Sequence, residues 1–498
     1  MRNCWHMIFD LELQNDLWMD NAIVNFYSLL SSLGHDTVNI SIITSKVSVE
    51  ILDYELFLSD LSQAIIRKIK PNIIIDEIDK NSNERKEIKK DYILIQENKK
   101  INGKVSLKEK IYDENDNYQV IREIFDFLEG DSKKCVFCGR NFKKSVKNLQ
   151  QASYPFVTKI KSLSGIRGVT EYFKDYCPIC YLIGILEWQD PSLIYRTFPA
   201  DKSYLFLPLM LDLNKLYEFK CNSVPVLDNT YRYSNLSNLK RESTENTPGK
   251  YSTLLYFYEK FNEKFMDTYT EESPICTQWG IVEIPLSGSV KNPKLTKVVV
   301  PDYIIGLIRI LANRDFLIYN DFIRNIRMVK LQGKSDFEET NIIREKLSES
   351  IIKDEFRLFA KQFLPRKKER VVMNSLAYEV LEELLLEWRC RPMGINKEDL
   401  DNVKSYANVL ASVTSKNISL LYKLDKARDI NEFWSITKEI SKKLIDAEKN
   451  DISKIRPTSI DNLVLLVKEN EDDWKEIRDL IIIYASMYHS IRNLKQEG

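Results

Sequence analysis

The last part of the chain carries apolar residues at the spacing of amphipathic helices. In residues 376–388, 430–444 and 474–488, apolar or aromatic side chains recur every three or four positions, so they share one face of a helix. Glycine and proline, which interrupt helices, are scarce from residue 341 onward. The pattern predicts a C-terminal helical bundle over residues 341–498.

The preceding residues mix helical and strand patterns. A helical period is present in residues 20–33, whereas residues 38–52, 203–213, 280–286 and 297–300 contain the β-branched or alternating residues of strands. We therefore predict an α+β fold. Its predicted divisions are a mixed α/β N-terminal region (1–130), a four-cysteine zinc module (131–190), a β-rich region that completes the N-terminal domain (191–340) and the helical bundle (341–498).

Two pairs of cysteines have the spacing of metal ligands. Cys135 and Cys138 precede Gly139, which permits a tight turn, and Cys177 and Cys180 lead into an apolar segment that can begin a helix. A turn pair followed by a pair at a helix start is typical of a treble-clef zinc module. Four thiolates complete a tetrahedral set, so we predict one structural zinc ion. The alternatives are two unrelated cysteine pairs or a redox dithiol.

Basic residues are concentrated around this module, although the chain as a whole is neutral with 73 basic and 73 acidic residues. Residues 131–174 contain ten basic and two acidic residues, a net charge of +8, with aromatic residues between them. Such a segment can contact phosphates and stack on bases; the alternative is a solvated charged face. The candidate nucleic-acid contacts in and near it are Arg140, Lys143, Lys144, Lys147, Lys159, Lys161 and Arg167.

The sequence contains no arrangement typical of an active site. Its three histidines, His6, His35 and His489, have no histidine neighbour at metal-ligand spacing, which excludes the His-Glu-x-x-His metalloenzymes. Walker A and G-x-S-x-G motifs are absent from the sequence. The acidic cluster at residues 113–116 lies in polar surroundings typical of a solvated surface. We therefore predict that the protein is not an enzyme.

The sequence also predicts a cytoplasmic protein that does not bind a membrane. Residues 1–10 lack the long apolar stretch of a secretory signal. No apolar run approaches the ~18 residues that a membrane helix needs. In the reducing cytosol, paired cysteines are metal ligands or redox groups more often than disulfides.

Three short motifs resemble one protein family. Residues 16–26 read Asp-Leu-Trp-Met-Asp-Asn-Ala-Ile-Val-Asn-Phe, and the cysteine motifs read Cys-Val-Phe-Cys-Gly and Cys-Pro-Ile-Cys, the latter before an apolar helix. In a chain of 498 residues these motifs are similar to the large subunit of type I-B CRISPR Cascade effectors, in its zinc-bearing variant. The specific resemblance covers residues 16–26 and 135–188.

The resemblance implies a non-catalytic subunit of an RNA-guided antiviral surveillance complex. Its partners would be crRNA, the handle-binding, backbone and small subunits, and a recruited helicase–nuclease. It would recognise the protospacer-adjacent motif on double-stranded DNA and aid R-loop formation, while base pairing supplies sequence specificity. The basic residues then expected to line a strand path are Arg366, Lys367, Lys368 and Arg370, for which the alternative is a solvated linker.

Two other functions are compatible with the residues. One is a zinc-containing protein-interaction scaffold that binds no nucleic acid. The other is a zinc-dependent nucleic-acid enzyme or its accessory, which would need catalytic carboxylates at Asp113, Glu114 and Asp116.

Overall fold

The computed structural model combines helices with small antiparallel sheets, so the predicted α+β class is confirmed. Its described residues form two compact units, one within residues 1–246 and 269–299, the other within 247–268 and 300–498. The described residues are 7–78, 85–89, 96–101, 104–109, 114–146, 153–154, 156, 175–187, 194–198, 202–223, 248–265, 275–285, 294–330, 335–366, 369–414, 418–448 and 458–497.

The secondary structure elements are numbered in chain order. Strands β1 to β16 are Met7–Glu12, Val38–Ile43, Lys46–Ile51, Ile74–Ile78, Arg85–Lys89, Gln96–Ile101, Lys104–Glu109, Lys133–Lys134, Asn141–Phe142, Ile194–Phe198, Lys202–Pro208, Gln278–Pro285, Lys294–Val299, Arg327–Lys330, Ser335–Asp336 and Glu369–Val372. Helices α1 to α15 are Leu17–Leu30, Tyr54–Ile73, Glu114–Asp126, Pro178–Leu186, Leu213–Ser223, Lys250–Phe265, Asp302–Ala312, Phe337–Ile352, Phe356–Lys361, Ser375–Leu385, Lys397–Val413, Ser419–Lys426, Ile430–Glu448, Thr458–Glu469 and Trp474–Glu497.

Two antiparallel sheets frame the first unit. One has the strand order β1-β3-β2, and buried positions alternate along β3, so one face of this sheet joins the core. The other has the order β10-β11-β12-β13, with Phe206 of β11 opposite Ile281 of β12. The segment predicted as a strand over residues 203–213 is shorter in the structure, because β11 ends at Pro208 and α5 begins at Leu213.

Helix α1 is the buried centre of the first unit. The carboxylate of Asp16 accepts hydrogen bonds from the backbone N–H groups of Trp18 (3.0 Å) and Met19 (2.9 Å). These bonds cap the start of the helix. Trp18 and Met19 are both fully buried. Leu17 lies over Gly280 of β12, where a Cβ atom would be 1.9 Å from the leucine side chain. Glycine at this position therefore allows α1 to pack against the sheet.

The second unit includes one helix, α6, that is separated in sequence from the rest of the unit. Helix α6 begins beside Glu345 of α8, whose carboxylate accepts the backbone N–H groups of Tyr251 (2.9 Å) and Ser252 (3.0 Å). Burial raises the pKa of Glu345. The N–H groups at the N-terminus of a helix have no acceptor within the helix. Glu345 of α8 therefore caps the start of α6.

The C-terminal region is helical, as its periodicity predicts. Val380, Leu384 and Trp388 of one predicted apolar face are buried, whereas Leu376 is 41% exposed.

None of the described helices has both the length and the apolar character needed to cross a membrane.

Partly buried ion pairs join helices of this region. Arg357 on α9 contacts Asp425 on α12 (2.6 Å) and Asp479 on α15 (2.5 Å). Arg478 contacts the same Asp479 at 2.9 Å and donates to the carbonyl of Ala427 at 2.7 Å. Loss of Asp479, which is 3% exposed, would remove the carboxylate that both arginines share and leave the buried Arg478 without its carboxylate partner. These contacts therefore help to fix the relative positions of the three helices.

Two helical glycines give a matched test of packing. A Cβ atom on Gly184 of α4 would lie 2.1 Å from the backbone oxygen of Ser153, whereas one on Gly306 of α7 would have nothing within 4 Å. We expect Gly184→Ala to destabilise the protein by about 1–3 kcal/mol through overpacking. Gly306→Ala should instead stabilise it by up to about 1 kcal/mol. Thermal unfolding of both variants checks this, and equal effects would contradict it.

Candidate metal centre

The first cysteine pair lies on a short hairpin. Strands β8 and β9 pair antiparallel, and the backbone N–H of Cys135 donates to the carbonyl of Arg140 (2.8 Å) while that of Gly139 donates to Cys135 (3.0 Å). Gly139 has a positive φ of +67°, a conformation that glycine adopts without strain. The tight turn brings Cys135 and Cys138 to the same site.

The second pair begins helix α4. Cys177 is the N-cap of this helix, its sulfur accepts the backbone N–H of Cys180 at 3.4 Å, and Pro178 occupies the first turn. The backbone N–H of Cys177 in turn lies 3.4 Å from the sulfur of Cys135. Backbone N–H groups that point at sulfur stabilise thiolates, so the helix start suits negatively charged ligands.

The four sulfur atoms form one cluster. The sulfurs of Cys135, Cys138, Cys177 and Cys180 all lie within 4.8 Å of one another, and those of Cys138 and Cys177 are 3.6 Å apart. All four thiols are free of disulfides. A tetrahedral ion with metal–sulfur bonds of about 2.3 Å requires sulfurs about 3.8 Å apart. The geometry is therefore compatible with one metal ion, and the predicted grouping of these cysteines is confirmed.

Burial makes the cluster unfavourable without a cation. Burial raises the pKa of Cys177 well above its ordinary value, whereas the hydrogen bond with Cys138 lowers the pKa of Cys135. Four adjacent thiolates repel one another in such a site. A bound cation offsets this repulsion and the desolvation of the sulfurs, so metal binding and folding are coupled here.

Aromatic residues flank the cysteines in sequence and contact one another. The ring of Phe137 lies 4.9 Å from that of Tyr154 and 5.3 Å from that of Tyr176. The hydroxyl of Tyr176 donates to the carbonyl of Cys180 at 2.7 Å. This hydrogen bond helps to orient the start of α4, as groups around a metal site do.

Helix α1 anchors α4 through polar side chains. Trp18 donates from its ring nitrogen to the carbonyl of Gly184 (3.1 Å), and Asn25 donates from its amide to that of Leu186 (2.9 Å). The sequence motif at residues 16–26 did not assign a role to either side chain. Trp18, Asn21 and Asn25 are spaced to share one helix face. Polar groups on a buried helix face need specific hydrogen-bond partners, so this spacing is the feature of the sequence that could have indicated their role.

The predicted nucleic-acid residues beside the cluster have different environments. Arg140 donates a hydrogen bond to the carbonyl of Asp10 at 2.5 Å, and its guanidinium lies 5.2 Å from the centre of the Phe9 ring. The guanidinium therefore makes its contacts within the protein. Lys143 and Lys144 are exposed. Four further predicted residues lie outside the described part of the chain, namely Lys147, Lys159, Lys161 and Arg167.

The basic residues predicted to line a strand path also lie in different environments. Arg366 is exposed but forms ion pairs with Glu339 (3.1 Å) and Glu369 (3.6 Å). Arg370 is only 6% exposed. Lys367 and Lys368 lie outside the described residues. Contact of any of these residues with nucleic acid stays a prediction.

No protein-family model matches the chain, and no curated protein matches it. The resemblance to Cascade large subunits therefore rests on residues 16–26 and 135–188 of this sequence. Within the described part of the chain, the four-cysteine cluster is the one group of three or more histidine, cysteine or acidic side chains arranged to hold a metal.

Removal of two ligands tests the metal centre. We expect the purified protein to contain about one metal ion per chain, and Cys135→Ser with Cys177→Ser to abolish binding and to lower the unfolding temperature. Cys221→Ser is the control, because Cys221 is exposed and outside the cluster. Elemental analysis and thermal unfolding provide the measurements. Full metal content in the double variant would refute the assignment.

Proposed function

We propose that this protein is a zinc-stabilised, non-catalytic large subunit of an RNA-guided surveillance complex similar to type I-B Cascade. The observation that carries the proposal is the contact between α1 and α4. The motif at residues 16–26 forms the N-cap and first part of α1, and the Cys-Pro-Ile-Cys motif starts α4. Trp18 and Asn25 donate hydrogen bonds directly to α4. The resembling segments thus belong to one structural unit, which supports a shared architecture rather than a chance match of short motifs.

The metal in this proposal is zinc with a structural role. Four thiolates are one of the usual ligand sets of structural zinc, and they leave no coordination position for water or substrate. Cys135, Cys177 and Cys180 are almost completely buried, which also argues against substrate access. A zinc ion held in this way would stabilise the fold, and this supports a binding subunit rather than a zinc enzyme.

The exposed lysines next to the cluster are the proposed nucleic-acid contacts. Lys144 lies with its Nζ 5.2 Å over the ring of Phe127, and Lys143 is its exposed neighbour. Both positive charges remain at the surface, where they can neutralise phosphates. Recognition of the protospacer-adjacent motif, duplex opening, recruitment of a helicase–nuclease and a cytoplasmic location follow from the resemblance and belong to the same proposal.

Substitution of these lysines tests nucleic-acid binding. We expect Lys143→Ala with Lys144→Ala to weaken binding of double-stranded DNA and to reduce the slope of log K against log salt by about 1.8, since each phosphate contact contributes about 0.9. Lys215→Ala with Lys297→Ala is the matched control, because these lysines are exposed in the same unit but outside residues 131–174. Fluorescence anisotropy measures both, and equal losses would contradict the assignment.

Purification of the native complex tests the function itself. We expect the tagged protein to copurify with repeat-derived RNAs of uniform length and with several copies of a backbone subunit. Sequencing of the RNA and mass spectrometry of the copurifying chains are the measurements. A metal-containing chain without RNA or backbone subunits would refute the proposal and favour the interaction scaffold.

A further inference from the structure

One cysteine of the cluster is more accessible than the other three. Cys135, Cys177 and Cys180 are 3%, 0% and 0% exposed, whereas Cys138 is half-buried. Cys138 lies on the turn of the β8–β9 hairpin rather than on helix α4. Oxidation of cysteine follows thiolate character and exposure, so Cys138 is the ligand residue most exposed to a small oxidant in solution.

A second sulfur lies close enough to react with an oxidised Cys138. The sulfur of Cys177 is 3.6 Å away. Bonded sulfurs are about 2.05 Å apart, so the two atoms must approach each other by about 1.5 Å. Cys177 is held as the N-cap of α4, and the approach is therefore made by the hairpin turn.

We propose that Cys138 is a peroxide-reactive modification site whose oxidation leads to a disulfide with Cys177. The Cys138 thiolate attacks one oxygen of hydrogen peroxide, the O–O bond breaks, and hydroxide leaves a sulfenic acid on Cys138. The Cys177 thiolate then attacks that sulfur, and a second hydroxide leaves as the S–O bond breaks. The two thiolates lose two electrons and the peroxide gains two, as in thiol oxidation generally. The metal ion loses two ligands and is released.

The choice of cysteines in this disulfide determines whether the β8–β9 hairpin stays linked to α4 after the metal is released. A bond between Cys138 and Cys177 joins the hairpin to α4, so the hairpin remains attached after the metal leaves. A bond within either Cys-x-x-Cys pair would leave the hairpin and α4 without a covalent link. Thiol reductants reverse either bond by exchange. The inference rests on the structural zinc of the proposed function and is independent of the RNA-guided role.

Peptide mapping of the full-length protein distinguishes these outcomes. Trypsin cleaves after Lys134 and Arg140 and after Lys174 and Arg196, so each cysteine pair lies in its own peptide, 135–140 or 175–196. The metal content is measured first, and the protein is then treated with hydrogen peroxide while zinc release is followed with a chromogenic chelator. Mass spectrometry without reduction identifies cross-linked peptides, and fragmentation identifies the bonded sulfurs.

We expect release of about one zinc ion per chain together with a cross-link between Cys138 and Cys177. Dithiothreitol and added zinc should restore the starting state. Disulfides confined to single peptides, a cross-link through another sulfur pair, or no reaction would overturn the inference and leave the zinc proposal intact. Protein without metal before treatment would instead overturn the zinc proposal, and this inference with it. Cys221→Ser should release zinc at the rate of the unchanged protein.

Discussion

The attachment of α4 at both ends is the constraint on which the first unit depends. At its start, Cys177 and Cys180 contribute to the metal cluster. At its end, the carbonyls of Gly184 and Leu186 accept hydrogen bonds from side chains of α1. The last carbonyls of a helix lack partners within the helix, and in this buried place water cannot supply them. A short apolar helix is thereby fixed in position and orientation.

The parts of this arrangement that the sequence predicts are those with short-range signals. Cys135 and Cys138 are three positions apart, as are Cys177 and Cys180, so the spacing alone identifies each pair. The helical period of the C-terminal region is equally local. Trp18 and Gly184, in contrast, are 166 positions apart, and nothing in either neighbourhood identifies the other. Contacts of this kind depend on the completed tertiary packing.

The arginines show why charge alone does not predict a binding surface. Arg140 belongs to the most basic segment of the chain, yet its guanidinium reaches the carbonyl of Asp10. Arg370 belongs to a basic run but is 6% exposed. Arginine has a long apolar stem and several donors, so it can serve the interior of a fold as well as its surface. Lys143, in contrast, is exposed to solvent.

The pairing of Glu345 with α6 also sets an order of events during synthesis. Tyr251 and Glu345 are 94 positions apart, so α6 leaves the ribosome well before its acceptor is made. At about 5–20 residues per second, the delay is roughly 5–20 seconds. During that time Glu345 cannot accept hydrogen bonds from the backbone N–H groups of Tyr251 and Ser252. Helix α6 is therefore made before the residue that caps it, and a fragment that begins after residue 300 lacks this helix.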